Sequence, residues 1–343
     1  MNNKKLLLIY TGGTIGMDTN AVTGALEPLD FNHFLQNVPE LNSLQTEIDC
    51  YQFDPPIDSS DMSPDKWAQI VDVITDRYAA YDGFVILHGT DTMSYTASAL
   101  SFMLENIGKP VVLTGSQLPI GQLRTDGKEN LVTSLEIAAA TTENDLPMVP
   151  EVCIYFNGKL LRGNRSTKIN ADGFNAFDSP NYPYLADAGI NIVYRKKNIL
   201  PLDNAMPFTP HRKMDSNLLV LSFFPGIEEH VVAHMLNVEG LRSVVMRSFG
   251  SGNAPQQQWL VNQLRQAVDR GIVVVNISQC MAGNVVMSRY ETGYQLQQAG
   301  IVSGYDATVE ATVAKLMYLQ AHYDNPKDVI EHMNCALCGE ISV

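Results

Sequence analysis

The sequence predicts two α/β domains, the larger one first. Short continuous apolar runs alternate with stretches of helical periodicity, the pattern of strands buried on both faces of a mostly parallel sheet. The pattern lapses once, between Val193 and Asp215, and then resumes. A length of 343 residues is itself a soft prior for about two domains.

In chain order, Leu6–Tyr10 is the first core strand. Lys4-Lys5 before it faintly imitates a secretory signal, but the run is too short and ends in Thr11-Gly12-Gly13-Thr14 rather than a cleavage site, so the chain reads as cytoplasmic. Ser63-Pro64 supplies an N-cap and a proline at the first helical position, after which Trp67, Ile70, Val71, Ile74 and Tyr78 recur at helical spacing. Phe84–Leu87 is the next strand. A helix follows Thr92 with Leu100, Met103 and Leu104 inward, and Val111–Leu113 is a third strand. The basic Arg195-Lys196-Lys197 and the breakers Pro201, Pro207 and Pro210 mark residues 193–215 as a linker between domains 1–192 and 216–343. Leu218–Phe224, Ser243–Met246 and Ile272–Ile277 read as strands of the second domain. The helix between the last two has Pro255 near its start, Leu260, Leu264, Ala267 and Val268 inward, and Gly271 just past its end.

Composition narrows the function. Hydrophobic residues make up 45% and charged residues 17%, which excludes disorder. The net charge of -14 repels phosphate backbones, so no nucleic-acid partner is expected. No stretch reaches the roughly 18 apolar residues of a spanning helix, so no membrane role is expected. Five scattered cysteines do not form a disulfide framework, and the sequons at Asn164 and Asn276 then carry no meaning.

The chemistry gathers where the strands end, which is where open parallel sheets bind ligands. The first strand exits through Thr11-Gly12-Gly13-Thr14-Ile15-Gly16, the second through His88-Gly89-Thr90-Asp91-Thr92, the third through Thr114-Gly115-Ser116-Gln117. Each combines glycine, which lets backbone approach a ligand, with a hydroxyl. If the strands are neighbours, the hydroxyls converge on one crevice. That set points to acyl transfer by an activated threonine, with Thr90-Asp91 as one candidate for the base and its orienting partner, and a lysine of lowered pKa, supplied by Thr167-Lys168, as another candidate component. Backbone N–H groups of the glycine turns are candidate oxyanion donors.

With Asp58-Ser59-Ser60-Asp61-Met62, Arg162 to Lys168, Gly252-Asn253-Ala254-Pro255 and Ser278-Gln279-Cys280 added to the first two exits, the chain resembles the bacterial-type asparaginases, within them the cytoplasmic type I group. The resemblance covers nearly the whole chain. It implies the two-domain fold of that family and hydrolysis of L-asparagine to L-aspartate and ammonia, without metal or cofactor. It implies Thr14 as nucleophile, and Thr90, Asp91 and Lys168 as the second catalytic group, with Asp91 also holding the substrate's α-amino group. Ser59 and Ser60, with Asp58, would hold the α-carboxylate and amino ends, and Ser116 would bound the pocket. It further implies a homodimer or homotetramer, with the smaller domain completing the site. The type I likeness also raises a second, allosteric asparagine site at Thr167, Arg247, Gln279 and Cys280. Against it, Arg247 reads as an interface residue and Cys280 as a small buried filler.

One departure stands out. The family's lid-loop tyrosine is missing, since Met17 to Pro28 contains none. Residues 17–30 still read as a hinged lid closing over substrate, with Thr19, Thr23 or water near Thr14.

Other motifs read as structural. Cys335-Ala336-Leu337-Cys338 lacks the second ligand pair of a zinc site. His230 and His234 lack a zincin glutamate and a third ligand. His88 ends a buried strand and reads as a hydrogen-bonded core histidine. Two rival functions remain: an amidase subunit feeding a tRNA-dependent amidotransferase, and a non-enzymatic amino-acid sensor. The first would normally carry a domain ahead of the motif that here starts at residue 11, and the acidic charge argues against tRNA. The second has no need of an activated hydroxyl.

Overall fold

The computed structural model describes residues 4–19, 26–28, 38–202, 205–289 and 291–343. It divides into two compact units, Met1–Arg212 and Lys213–Val343.

The first unit is built on an eight-stranded sheet. Its strands are β1 (Lys4–Tyr10), β2 (Thr46–Gln52), β3 (Gly83–Leu87), β4 (Val111–Thr114), β5 (Val152–Phe156), β6 (Lys159–Arg162), β7 (Ala186–Ala188) and β8 (Ile192–Tyr194). The spatial order is β8-β7-β6-β5-β4-β3-β1-β2. From β2 to β5 the neighbours are parallel, and from β5 to β8 they are antiparallel. The continuous apolar runs are the inner strands: every residue of β3 and β4 is buried, as is β1 from Leu6 onward. One face packs Leu6, Leu8, Tyr10, Val85 and Leu87 against Leu131 and Leu135 of helix α3 (Gly127–Ala139).

Helix α1 (Pro64–Arg77) buries Trp67, Ile70, Val71 and Ile74 as the periodicity predicts, and Val73 besides. Ser63 occupies the N-cap position but makes no side-chain cap hydrogen bond. Pro64 leaves one fewer orphan N–H there to cap. Helix α2 (Met93–Met103) is buried on nearly all sides.

Three first-unit features lie outside the patterns read from sequence. Strand β2 alternates apolar with charged residues, because it is an edge. The β5–β6 hairpin turns on Asn157-Gly158, both at positive φ, a two-residue hairpin signal. The stretch from Val193 begins inside β8, and Thr209–Pro210 pairs antiparallel with Leu104–Glu105. Strands of two or three residues are too short to show a period.

The second unit carries a four-stranded parallel sheet in chain order: β9 (Leu218–Ser222), β10 (Ser243–Ser248), β11 (Val273–Ser278) and β12 (Val302–Ser303). Strand β9 stops at Ser222, and Phe224 is exposed. Among its helices are α4 (Glu229–Leu236), α5 (Gln258–Asp269), α6 (Glu291–Gln298), α7 (Val309–His322) and α8 (Pro326–Met333). Gly271 follows α5 with φ 91°, the left-handed conformation that ends a helix cheaply only in glycine.

The chain closes with a turn around a buried ion pair. Lys315 Nζ of α7 lies 2.6 Å from Glu340 Oε1, and each side chain is 1% exposed. The ammonium also donates to the Cys335 carbonyl at 2.5 Å, while Glu340 accepts from the Leu337 and Cys338 amides at 3.0 and 2.9 Å. The Cys335–Cys338 spacing thus belongs to a structural turn, and all five cysteines are free.

Candidate active site

The strand order makes the three glycine-hydroxyl exits neighbours. Thr11 continues β1 by donating its amide to Leu87 of β3 at 3.0 Å, and His88 continues β3 by donating to Thr114 of β4 at 2.9 Å. Beyond that, backbone meets backbone. A Cβ on Gly13, whose φ is 95°, would lie 2.5 Å from the Gly89 nitrogen, and one on Gly89 would lie 2.4 Å from Ser59 Oγ. Only glycine permits this approach, and it brings residues 11–14, 57–60 and 88–91 together. The Ile57 amide donates to the Thr11 carbonyl at 2.6 Å, and Thr92 Oγ1 donates to the Ser59 carbonyl at 2.6 Å, tying the same segments.

Thr14 opens a single 3-10 turn, Thr14–Gly16, and is half-buried. Beneath the turn Tyr10 donates its hydroxyl to the Gly16 carbonyl at 3.2 Å, and burial pushes its pKa up to about 12. Asp58 caps a second 3-10 turn at the site, Ser59–Asp61, accepting from the Ser60 amide at 2.9 Å and the Ser60 hydroxyl at 2.8 Å. Those bonds, the amide first, hold its carboxyl below the usual range. Ser59 is buried in that turn, whereas Asp58 and Ser60 are exposed.

Lys168 arrives from far along the chain. The turn Gly163–Arg165 and Ser166 are buried, with Ser166 Oγ against Ser94 Oγ of α2 at 3.2 Å. The two-residue strand Thr167–Lys168 follows, paired with Phe177–Asp178. From there Lys168 Nζ donates to Thr90 Oγ1 at 2.9 Å and to Asp91 Oδ1 at 2.6 Å. The Lys168 side chain is 18% exposed and that of Asp91 68%, so the lysine is shielded while the carboxylate keeps one side toward solvent.

Ser116 is buried and donates its hydroxyl to the Leu118 carbonyl at 2.5 Å. Beside it is a residue to which sequence gave no role. Gln117 Oε1 accepts from Thr90 Oγ1 at 3.4 Å. The signal was its place in the third exit. His88 is a core histidine: Nδ1 bonds the Gly89 carbonyl at 2.7 Å, Nε2 bonds Thr96 Oγ1 at 2.9 Å, and burial lowers its pKa to about 4.

The four second-site candidates fall in both units. Thr167 lies in the first. In the second, Arg247 is the penultimate residue of β10 and Gln279 Nε2 donates to the Arg247 and Phe223 carbonyls at 2.8 and 2.7 Å. Cys280 is exposed, which corrects its reading as a buried filler: it lies past the end of β11, outside the core. The lid expected over 17–30 is described only at its base, where Met17–Thr19 pairs antiparallel with Leu26–Pro28. Residues 20–25 and 29–30, with Thr23, lie outside the described residues. Among the described residues no cluster of three or more His, Cys, Asp or Glu is placed to hold a metal. His230 and His234 are exposed on α4. No described helix is long and apolar enough to cross a membrane.

Comparison with known proteins bears on the family and the fold. The family model "Asparaginase, N-terminal" matches residues 5–200, and "Glutaminase/Asparaginase C-terminal domain" matches residues 217–333. L-asparaginase 1 of Escherichia coli K12 is 44% identical over 100% of this chain and 99% of its own length. The crystal structure of L-asparaginase I from Vibrio cholerae is 42% identical, with a TM-score of 0.90 over 99% of this chain and 100% of that one. The thermostable L-asparaginase from Thermococcus kodakarensis is 31% identical, with a TM-score of 0.89 over 99% of each chain. Matched along both units by the family's two models, and end to end by relatives of the same architecture, the chain belongs to the asparaginase family.

Proposed function

We propose that the chain hydrolyses the side-chain amide of L-asparagine, giving L-aspartate and ammonia, through an acyl-enzyme intermediate on Thr14. The observation that carries the reading is Lys168 Nζ, held 2.9 Å from Thr90 Oγ1 and 2.6 Å from Asp91 Oδ1 at the mouth of the exits. A binding protein has no use for a lysine aimed at a threonine hydroxyl, which disfavours the sensor.

Thr14 Oγ1 adds to the amide carbon as its proton passes to a water, and the carbonyl oxygen takes the negative charge under backbone N–H groups of the glycine turns. Collapse breaks the C–N bond as that water hands the same proton on to the nitrogen, and ammonia departs. Water then adds to the Thr14 ester. Thr90 accepts a proton from that water as its own passes to Lys168 in the neutral state, and collapse of the second intermediate returns the proton to Thr14. The exposed face of Asp91 receives the α-ammonium group, and Ser59 and Ser60, with Asp58, receive the α-carboxylate and amino end. Ser116 bounds the pocket. The reading includes a homodimer or homotetramer in the cytoplasm. Ammonia release from purified protein with L-asparagine, L-glutamine and D-asparagine tests it. L-asparagine should be turned over fastest, and absence of release from it would overturn the assignment.

A second reading rests on a separate observation. Arg247 Nε is buried without a hydrogen-bond partner among the described residues. A planar guanidinium suits an α-carboxylate. With Gln279, whose Nε2 donates to the Arg247 carbonyl, it anchors a regulatory asparagine site within the second unit.

A further inference from the structure

We infer that Gln117 is a positioning residue for the Thr90–Lys168 pair, an inference that rests on the catalytic roles proposed above. Its carboxamide has one orientation. Nε2 donates to the Ala171 carbonyl at 3.1 Å and to the Gly173 carbonyl at 3.0 Å, which engages both of its protons with acceptors. Flipping the group would set its oxygen against two carbonyl oxygens, so Oε1 must face Thr90.

The consequence for Thr90 is directional. A hydroxyl has one proton and two lone pairs. Lys168 Nζ approaches Thr90 Oγ1 as a donor at 2.9 Å, so the proton must point elsewhere, and Gln117 Oε1 receives it at 3.4 Å. In the resting state the hydroxyl is therefore held with a lone pair toward the lysine. When Lys168 is neutral, the same fixed oxygen needs only to turn its proton by one torsion to pass it on.

Gln117 is itself anchored on both sides. Its amide donates to the Asp126 carboxylate at 3.1 and 3.0 Å, and the Leu118 amide donates to Asp126 Oδ1 at 3.2 Å. Across the site, Asn170 Oδ1 accepts from the Asp172 and Gly173 amides at 3.0 and 2.9 Å, ordering the turn whose carbonyls Gln117 grips. That turn starts two residues after Lys168. The glutamine thus clamps Thr90 and the segment carrying Lys168 to one rigid strand exit, and no other residue type offers an acceptor and two donors at this reach without charge.

The test compares kcat and KM for wild type, Gln117→Leu and Gln117→Glu, with Thr90→Ala and Lys168→Ala alongside. Gln117→Leu should lower kcat about tenfold, the worth of one or two neutral hydrogen bonds, with KM changed less than about threefold. Gln117→Glu keeps an acceptor toward Thr90 but sets its second carboxylate oxygen against the Ala171 and Gly173 carbonyls, and should lower kcat at least as far with KM again changed less than about threefold. Wild-type kcat in either variant, or a loss that falls on KM rather than on kcat, overturns the role. Should Gln117→Leu fail to fold, the kcat-against-KM split in Gln117→Glu decides alone. If instead Thr90→Ala and Lys168→Ala both retain wild-type turnover, the catalytic assignment falls, whatever the glutamine variants do.

Discussion

Gly13 and Gly89 touch backbone to backbone. A Cβ on the first would come within 2.5 Å of the amide nitrogen of the second and 2.6 Å of its Cα. These two positions set how closely the nucleophile's turn approaches the turn bearing Thr90 and Asp91. Gly13→Ala should therefore cost stability of about 1–3 kcal/mol from positive φ alone, and kcat should fall further than stability does. Thermal melts and ammonia release measured on one preparation would check this.

Thr14→Ala should abolish turnover while far-UV circular dichroism stays that of wild type. Lys168→Ala should slow turnover by roughly 10²–10⁴, the usual worth of a positioned proton-transfer group. Normal ammonia release from folded Thr14→Ala protein would remove that residue from the mechanism.

His88 makes stability depend on pH. Its pKa is lowered to about 4 from an ordinary 6.5 because burial penalises the imidazolium. Between those values the unfolded chain binds a proton that the folded chain refuses, so stability falls as pH falls through that window, by at most about 1.4 kcal/mol per pH unit. Urea unfolding at intervals from pH 7 to pH 4 measures the slope. His88→Gln should flatten it, and an equal slope in both proteins would refute the assignment.

The Lys315–Glu340 pair is a stability element remote from the chemistry. Removing one partner leaves a charge stranded among side chains 1% exposed, a loss of about 3–5 kcal/mol. Lys315→Met and Glu340→Gln singly should each lower the melting temperature sharply, and the double variant should recover part of the loss. Additive losses in the double variant would show that the two charges do not stabilise one another.

A regulatory site at Arg247 predicts a sigmoidal dependence of rate on asparagine concentration. Arg247→Ala should make the curve hyperbolic or remove activity at low substrate. A hyperbolic wild-type curve over a wide range, unchanged in Arg247→Ala and Cys280→Ala, would exclude it.

What sequence revealed follows from burial. Inner strands β3 and β4 are buried throughout and β1 from Leu6 onward, so Leu6–Tyr10, Phe84–Leu87 and Val111–Leu113 stand out as apolar runs. Edge strand β2 alternates, and two-residue strands such as Thr167–Lys168 leave no period to detect. The glycine-hydroxyl exits were legible because close backbone approach demands glycine. Gln117 was not, because its role lies in three contacts with residues 27 to 56 positions away, one to a hydroxyl and two to carbonyls. Phe224 and Cys280 mislead for one reason: past a strand's last ladder bond, hydrophobic character no longer implies burial.

The reach of Lys168 has a kinetic corollary. Its partners Thr90 and Asp91 lie 78 and 77 residues earlier in the chain, and Thr11 meets Leu87 across 76. Contacts of such sequence separation pay their loop-closure entropy before they return any energy, so they form slowly. Helices whose bonds are local form first. During refolding from denaturant, regained ellipticity should run ahead of regained ammonia release. A nascent chain is catalytically silent until ribosomal synthesis has passed residue 168 and the lysine has found its place in the sheet-borne site.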